Sequence, residues 1–143
     1  MSILNCYSLA RVAPYEEGGF IHGGLVGLSS FGVRKSYAAG PVTGWEGFTG
    51  GLIGHLSASP ESVVDSYWDT ETSGCLTSDG GAGKTTAQMK QQATFAGWDF
   101  ATIWQITENV TYPTFRGSPA PTPAPGLTWD IKGMLSCINW GGH

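Results

Sequence analysis

Three tyrosines recur at a fixed interval of thirty residues near the start of this chain. Tyr7, Tyr37 and Tyr67 each lie inside a similar phrase, at residues 5–8, 35–38 and 65–68. Two pairs of valines keep the same interval: Val12 with Val42, and Val33 with Val63. A fixed period of this size is typical of repeat architectures. We therefore predict stacked repeats over residues 1–70, with the three tyrosines in one column.

Two glycine-rich phrases, residues 23–27 and 50–54, also match each other at a spacing of twenty-seven residues. Short apolar runs bounded by glycine predict strands. The expected strands are Phe20-Ile21, Leu25-Val26, Phe48 and Leu52-Ile53. Three short strands and three turns in each unit would form one coil of a β-solenoid, with coils about 4.8 Å apart. The expected stacking pairs are Leu25, Val26 and Leu28 above Leu52, Ile53 and Leu56.

The composition excludes several functional classes. Charged residues make up 13% of the 143 residues, 22 residues are glycine, and the formal net charge is −4. Seven scattered lysines and arginines leave no basic patch for nucleic acid. No apolar stretch is long enough for a transmembrane helix, and no signal peptide is evident. The three cysteines, Cys6, Cys75 and Cys137, permit one disulfide with one thiol left over, or no disulfide.

After residue 70 the thirty-residue period ends. We expect residues 71–117 to cover the last apolar layer, as terminal segments of repeat stacks do. Residues 71–84 are polar and glycine-rich, which favours a loop. A short helix is predicted near 86–93, because Thr85 and Gln88 fit a capping box. Strands are predicted at 98–100 and 103–106, closing at 112–115.

The C-terminal part divides into a linker and a tail. In residues 118–126 every second residue is proline, which favours an extended, semi-rigid spacer. Residues 127–143 are too short to fold alone but carry several apolar side chains. The predicted docking residues are Trp129, Ile131, Leu135, Ile138 and Trp140. We expect this tail to add to an open sheet edge, on a partner or neighbouring copy, or alternatively to fold back on its own chain.

The two glycine phrases, with Ser36-Tyr37-Ala38, resemble the GLUG repeat of bacterial surface proteins. Residues 65–74, 85–90 and 97–100 are similar to the endings of such arrays, so the resemblance covers about residues 3–117. It implies a β-solenoid of the kind used in secreted adhesins and in phage tail or fibre proteins. It implies no catalytic residues, because the family motif is structural.

The chain differs from such arrays in its small size. About two and a half coils rise only some 12 Å, and fewer than about three repeats rarely bury enough apolar surface to be stable alone. The first coil starts almost at Met1 without a cap, and its exposed strand edges would invite pairing. We expect another chain to cover this end. The missing signal peptide fits a virion component, and equally a fragment of a longer adhesin.

Several polar residues are candidates for a catalytic or metal-binding site. Asp65, Asp69 and Glu71 are close carboxylates of the type used in glycoside hydrolysis or cation binding, but their phrase favours solvated turn residues. His22, His55 and His143 lack the close spacing of zinc ligands and are expected to be exposed.

Two further motifs were weighed. Gly83-Lys84-Thr85 ends like a phosphate-binding loop, but Ser78 replaces the required first glycine. Trp45 is the best candidate for stacking on a sugar. We predict no catalytic, cofactor or metal site.

The sequence therefore predicts an all-β protein: a short β-solenoid of about thirty-residue repeats, a small mixed cap containing one short helix, and an extended tail. The predicted function is that of a non-enzymatic structural protein, part of a phage virion such as a tail fibre, baseplate or capsid-surface protein. Its partners would be other virion proteins, surface proteins or further copies of itself. The first alternative is a module of a bacterial surface adhesin that binds a host glycan or receptor. A carbohydrate-active enzyme is a distant third.

Overall fold

The structure, a computed structural model, describes residues 1–14, 20–44 and 47–119, together with the backbone of one strand at 135–137. Within these residues the fold is built from thirteen short strands, two single-turn α-helices and two 3₁₀ turns. The β-rich class predicted from the sequence is therefore confirmed. Neither α-helix exceeds four residues. In the part of the chain that the structure describes, no helix is long and apolar enough to traverse a lipid bilayer.

The elements, in chain order, are β1 (Ser2–Leu4), β2 (Cys6–Ser8), β3 (His22–Gly23), β4 (Val26–Ser29), β5 (Gly32–Arg34), β6 (Tyr37–Ala38), β7 (Thr49–Gly50), β8 (Ile53–Leu56), a 3₁₀ turn (Pro60–Ser62), β9 (Tyr67–Asp69), α1 (Thr70–Ser73), β10 (Ala82–Lys84), α2 (Thr86–Met89), a 3₁₀ turn (Gln92–Thr94), β11 (Trp104–Gln105), β12 (Thr114–Phe115) and β13 (Leu135–Cys137). Most strands in the glycine phrases begin one or two residues later than predicted.

Segments about thirty residues apart pair with each other in parallel. Strand β2 pairs with β6 and β6 pairs with β9, which aligns Tyr7 with Tyr37 and Tyr37 with Tyr67. Strand β1 pairs with β5, β3 with β7 and β4 with β8, also in parallel. We call the strand sets at residues 2–29, 32–56 and 64–69 the first, second and third layers, and β10 lies on the outer edge of β9. The predicted column of tyrosines is confirmed.

The glycine phrases stack with a constant offset of twenty-seven residues. Val26 lies opposite Ile53, as predicted. Leu28, however, lies opposite His55, and Leu56 lies opposite Ser29. The expected match of Leu28 with Leu56 was therefore wrong by one residue, because the parallel register continues without a bulge to the end of β4.

The corner before each tyrosine strand has the same backbone geometry in every layer. Asn5, Lys35 and Asp65 all adopt positive φ, at 52°, 47° and 48°. This left-handed conformation turns the chain sharply and is rare outside glycine, although Asn and Asp tolerate it better than most. The three layers thus share a corner as well as a strand, which keeps the following residues in register.

Alternation along the tyrosine strands divides the apolar residues between two cores. Tyr37 and Ala38 are neighbours in β6, are both fully buried, and belong to different clusters, because successive side chains in a strand point to opposite faces. The inner core lies between the strands of the layers. Its buried members are Val33, Ala38, Leu52, Ile53 and Trp68.

The outer core lies between the tyrosine column and residues 85–117, which we call the side lobe. Its buried members are Tyr7, Tyr37, Ala39, Met89, Phe95, Trp98 and Trp104. The rings of Tyr7 and Tyr37 stack at 5.3 Å between centroids, and Trp104 packs against both. The segment that we expected to cover the end of the stack therefore covers its tyrosine-bearing side.

The end of the stack is covered instead by residues 77–79. The hydroxyl of Ser78 accepts the backbone N–H groups of Leu52 and Ile53, at 3.2 and 2.9 Å. The carboxylate of Asp79 accepts the N–H of Leu56 at 2.9 Å. These side chains supply acceptors that a further strand would otherwise provide, so this edge of the second layer is satisfied without another repeat.

Two local predictions after residue 70 were wrong. Residues 71–84 are not a continuous loop, because α1 occupies Thr70–Ser73 and β10 adds to β9 in parallel. Residues 98–100 form no strand, whereas β11 and β12 pair antiparallel within the region where strands were expected. The predicted capping box of Thr85 and Gln88 is present at the start of α2.

Candidate interaction surfaces

The first layer presents strand edges that nothing else in the described structure covers. Strands β1, β3 and β4 each pair on one side only, with the second layer. Unpaired edges are templates for further strands. The exception is β2, whose outer edge pairs antiparallel with β13. The bare first layer predicted from the sequence is therefore found at three strands and closed at the fourth.

The predicted docking tail meets the chain itself at this edge. In the register of β13 and β2, Leu135 lies opposite Ser8 and Cys137 lies opposite Cys6. The other predicted docking residues, Trp129, Ile131, Ile138 and Trp140, lie outside the described residues. Docking on a second chain stays a prediction.

Among the described residues, Asp69 is the carboxylate with the most hydrogen bonds, and it was predicted to be solvated. It is fully buried, so that prediction was wrong. Its Oδ1 accepts the backbone N–H groups of Glu71 and Thr72 at 2.9 and 3.0 Å, which caps α1. Its Oδ2 accepts the hydroxyls of Thr86 and Tyr112 at 2.8 and 2.7 Å. Four donors fix this carboxylate in a structural role and join the third layer to the side lobe.

Two neighbouring residues, Glu71 and Asp65, also contact the side lobe, the first through its carboxylate and the second through its backbone. Glu71 accepts the N–H of Thr86 at 2.7 Å and so holds the start of α2. The carbonyl of Asp65 accepts the indole N–H of Trp98 at 2.9 Å. Together the two contacts bind the side lobe to the third layer.

Two tyrosines at the outer core, Tyr37 and Tyr112, have a raised pKa. Complete burial raises the pKa of Tyr37 well above its usual value, and its hydroxyl donates to the carbonyl of Pro113 at 2.6 Å. Burial, together with the hydrogen bond to Asp69, raises the pKa of Tyr112. Both hydroxyls therefore stay protonated and act as donors to fixed acceptors.

The two histidines in the described part of the chain, His22 and His55, lie in different surroundings. His22 is buried, and its Nδ1 has no hydrogen-bond partner in the described structure. The prediction that it is exposed was wrong. His55 is exposed and lies 3.0 Å from Asp79, and His143 lies outside the described residues. Among the described residues, no three His, Cys, Asp or Glu side chains could hold one metal ion.

The segment that resembles a phosphate-binding loop is a strand followed by a short helix. Lys84 lies over the ring of Tyr67, 5.8 Å from its centroid. A Cβ at Gly83 would lie 3.0 Å from the indole of Trp68, so this glycine serves close packing. Lys84 and Gly83 thus have structural partners of their own.

One open depression on the described surface lies on the side lobe. It measures 560 Å³ and is lined by residues such as Phe95, Trp98 and Phe100, with Glu108 as its single carboxylate. Trp45, the predicted sugar-stacking residue, lies outside the described residues. The edges of the first layer therefore remain the strongest candidate for interaction.

Comparison with known proteins gives two relatives, both much longer than this chain. A protein of Evansella cellulosilytica named "Putative Gly-rich membrane protein" is 38% identical over 118 residues, covering 78% of this chain but 13% of the relative. Halomucin of Haloquadratum walsbyi is 33% identical over 101 residues, covering 67% of this chain and 1% of halomucin. No known protein family matches the sequence, and no solved structure matches significantly.

Proposed function

We propose that this chain is a short β-solenoid of GLUG-like repeats that acts as a non-enzymatic structural module of a large cell-surface protein. The observation that carries the proposal is the parallel, in-register pairing of like residues across three layers, centred on Tyr7, Tyr37 and Tyr67. Repeats that bury a shared core by stacking produce a rigid element whose length grows with repeat number. That property suits a spacer or scaffold.

A structural role is also supported by how the polar groups are used. The two oxygens of the buried Asp69 carboxylate accept four hydrogen bonds from groups of the protein itself. The Tyr37 hydroxyl is likewise engaged with a backbone carbonyl. Polar groups that are satisfied in this way stabilise one packing arrangement, and their hydrogen-bonding capacity is not available to a substrate.

The surface location rests on the relatives. This chain matches a small part of each, and the name of one refers to a membrane. A glycine-rich repeat module that matches a small part of much longer chains fits an extracellular scaffold. The phage-virion role predicted from the sequence stays a prediction, since neither relative's name refers to a virus. Binding of a host glycan or receptor also stays a prediction.

Insertion of a whole repeat tests the proposed architecture. A second copy of residues 31–60, inserted directly after residue 60, would add one layer in register. We expect this variant to fold with a cooperative thermal transition and a larger β signal in circular dichroism. The matched control inserts the same thirty residues in scrambled order. Equal disruption by the ordered and scrambled insertions would contradict the solenoid proposal.

The surface location can be tested in the source organism. An antibody raised against the purified chain should label intact cells, and mild protease treatment of intact cells should remove the label. Labelling only after permeabilisation would count against a surface module.

A further inference from the structure

A column of hydroxyl groups links the layers beside the tyrosines. The Ser36 hydroxyl accepts the backbone N–H of Cys6 at 3.0 Å, and the Ser66 hydroxyl accepts the N–H of Ser36 at 3.3 Å. Each hydroxyl donates in turn to a carbonyl of its own layer, that of Arg34 at 2.8 Å or Val64 at 2.9 Å. The second and third layers therefore each offer a hydroxyl acceptor to the layer before them.

This column stops at the first layer, where the equivalent position is Cys6. A cysteine has no hydroxyl, and its sulfur is a weak acceptor. A layer placed before the first would therefore lose the hydrogen bond that the second and third layers provide. The substitution of sulfur for oxygen at this one position marks the first layer as different from the others.

Strand β13 lies along the other side of β2 at the same position. Cys137 lies directly opposite Cys6 in the antiparallel register. Opposed residues in such pairs have Cα atoms about 4.5–5.5 Å apart, within the roughly 4.4–6.8 Å that a disulfide spans. Cys6 is disulfide-bonded and Cys75 is a free thiol.

We propose that Cys6 and Cys137 form a disulfide that fixes β13 across the outer edge of β2 and closes the tyrosine column at its first layer. β13 is the one strand that pairs antiparallel in its five-stranded sheet, among the described strands. It is therefore an end-piece rather than a further repeat. The occupant that it excludes is another thirty-residue repeat, which would need the same edge of β2.

The linkage is a two-electron oxidation. The two thiols form one S–S bond and release two protons and two electrons, which a disulfide-exchange oxidant accepts by becoming a dithiol. A reduced dithiol such as dithiothreitol reverses the step and is itself oxidised to a disulfide. Such bonds persist in oxidising, extracellular surroundings. The role as a terminus rests on the proposed stacking function, whereas the pairing of the cysteines rests on the strand register alone.

Peptide mapping tests the linkage directly. The full chain would be alkylated without reduction, digested with trypsin and analysed by mass spectrometry. The lysines and arginines place Cys6 in peptide 1–11, Cys75 in 36–84 and Cys137 in 133–143. We expect 1–11 linked to 133–143 and Cys75 alkylated. A link to Cys75, three alkylated cysteines, or a disulfide-linked dimer on a non-reducing gel would overturn the proposal.

Hydrogen exchange tests the role as a terminus. In Cys137→Ser, the amide of Tyr7, the β2 residue whose backbone faces β13, should exchange about tenfold faster because β13 is no longer held on the edge. The N–H of Cys6 keeps its partner in Ser36 and should keep its protection. The amides of β6 and β9 should keep their protection. Cys75→Ser is the matched control and should change none of them. Unchanged exchange at Tyr7 in Cys137→Ser would overturn the role even if the disulfide is found. Loss of protection throughout β6 and β9 in the wild-type chain would instead refute the stacking function.

Discussion

Replacing Ser36 with alanine should destabilise the protein through the contact between its first two layers. Ser36 is fully buried, and its hydroxyl accepts the N–H of Cys6 and donates to the carbonyl of Arg34. Alanine has nearly the same shape, so little packing is lost, but the buried N–H of Cys6 and the partly buried carbonyl of Arg34 lose their partner. Each unsatisfied group costs about 1–3 kcal/mol. We expect a loss of about 2 kcal/mol, since some relaxation toward other partners will occur.

Chemical denaturation of Ser36→Ala and the wild type would measure this loss as a shift in midpoint at constant slope. By thermal melting, about 2 kcal/mol corresponds to roughly 8 °C in a domain of this size. Ser57→Ala is the control, because Ser57 is exposed and its hydroxyl joins no layer; its effect should stay within about 0.5 kcal/mol. If both variants behave alike, the hydroxyl column does not connect the layers.

Three further substitutions or conditions give separate tests. Gly51→Ala should cost about 1–3 kcal/mol and alter tryptophan fluorescence, because a Cβ there would lie 2.1 Å from the Trp68 ring; wild-type stability would contradict this packing. Tyr112→Phe removes one of four donors to buried Asp69, so the urea midpoint should fall by the equivalent of about 1–3 kcal/mol, and an unchanged midpoint would show that the donor is dispensable. Because burial raises the pKa of Tyr37, the unfolded state loses this proton first as the pH rises. Stability should therefore fall above about pH 10, by about 1.4 kcal/mol per pH unit for this group. Tyr37→Phe should show a shallower pH dependence in alkaline denaturation, and equal slopes would refute the assignment.

The thirty-residue period was enough to predict that the layers stack and that the three tyrosines align. Tyr7, Tyr37 and Tyr67 align because a parallel stack repeats one local geometry, and the sequence records that geometry at each turn. The left-handed corners at Asn5, Lys35 and Asp65 were present in the same phrases. The hydroxyl column could have been predicted as well, since Ser36 and Ser66 share the period and Cys6 breaks it.

The side lobe could not be placed from the sequence, because its position depends on contacts far apart in the chain. Its segment was expected at the end of the stack, where repeat caps usually lie. Instead Phe95, Trp98 and Trp104 cover the tyrosine column, since rings at that face would otherwise be exposed. The end of the stack is covered by Ser78 and Asp79, whose side chains accept backbone N–H groups of the second layer. Neither residue belongs to a repeating pattern in the sequence, so this role could not be predicted.

The burial of Asp69 was missed for a related reason. In the sequence it lies among polar residues, which favours a solvated turn. Its phrase nevertheless carried a local signal, because an aspartate followed by Thr-Glu-Thr and then Gly74 fits the cap, first turn and left-handed end of a short helix. The contacts from Thr86 and Tyr112 come from seventeen and forty-three residues away and had no such signal.

The central claim is that successive thirty-residue segments stack in parallel, and nuclear Overhauser spectroscopy tests it most directly. In a uniformly labelled sample, we expect backbone contacts between Tyr7 and Tyr37 and between Tyr37 and Tyr67, with ring contacts between Tyr7 and Tyr37. Contacts that joined each tyrosine strand to its neighbour in sequence, with none between residues thirty positions apart, would contradict the account.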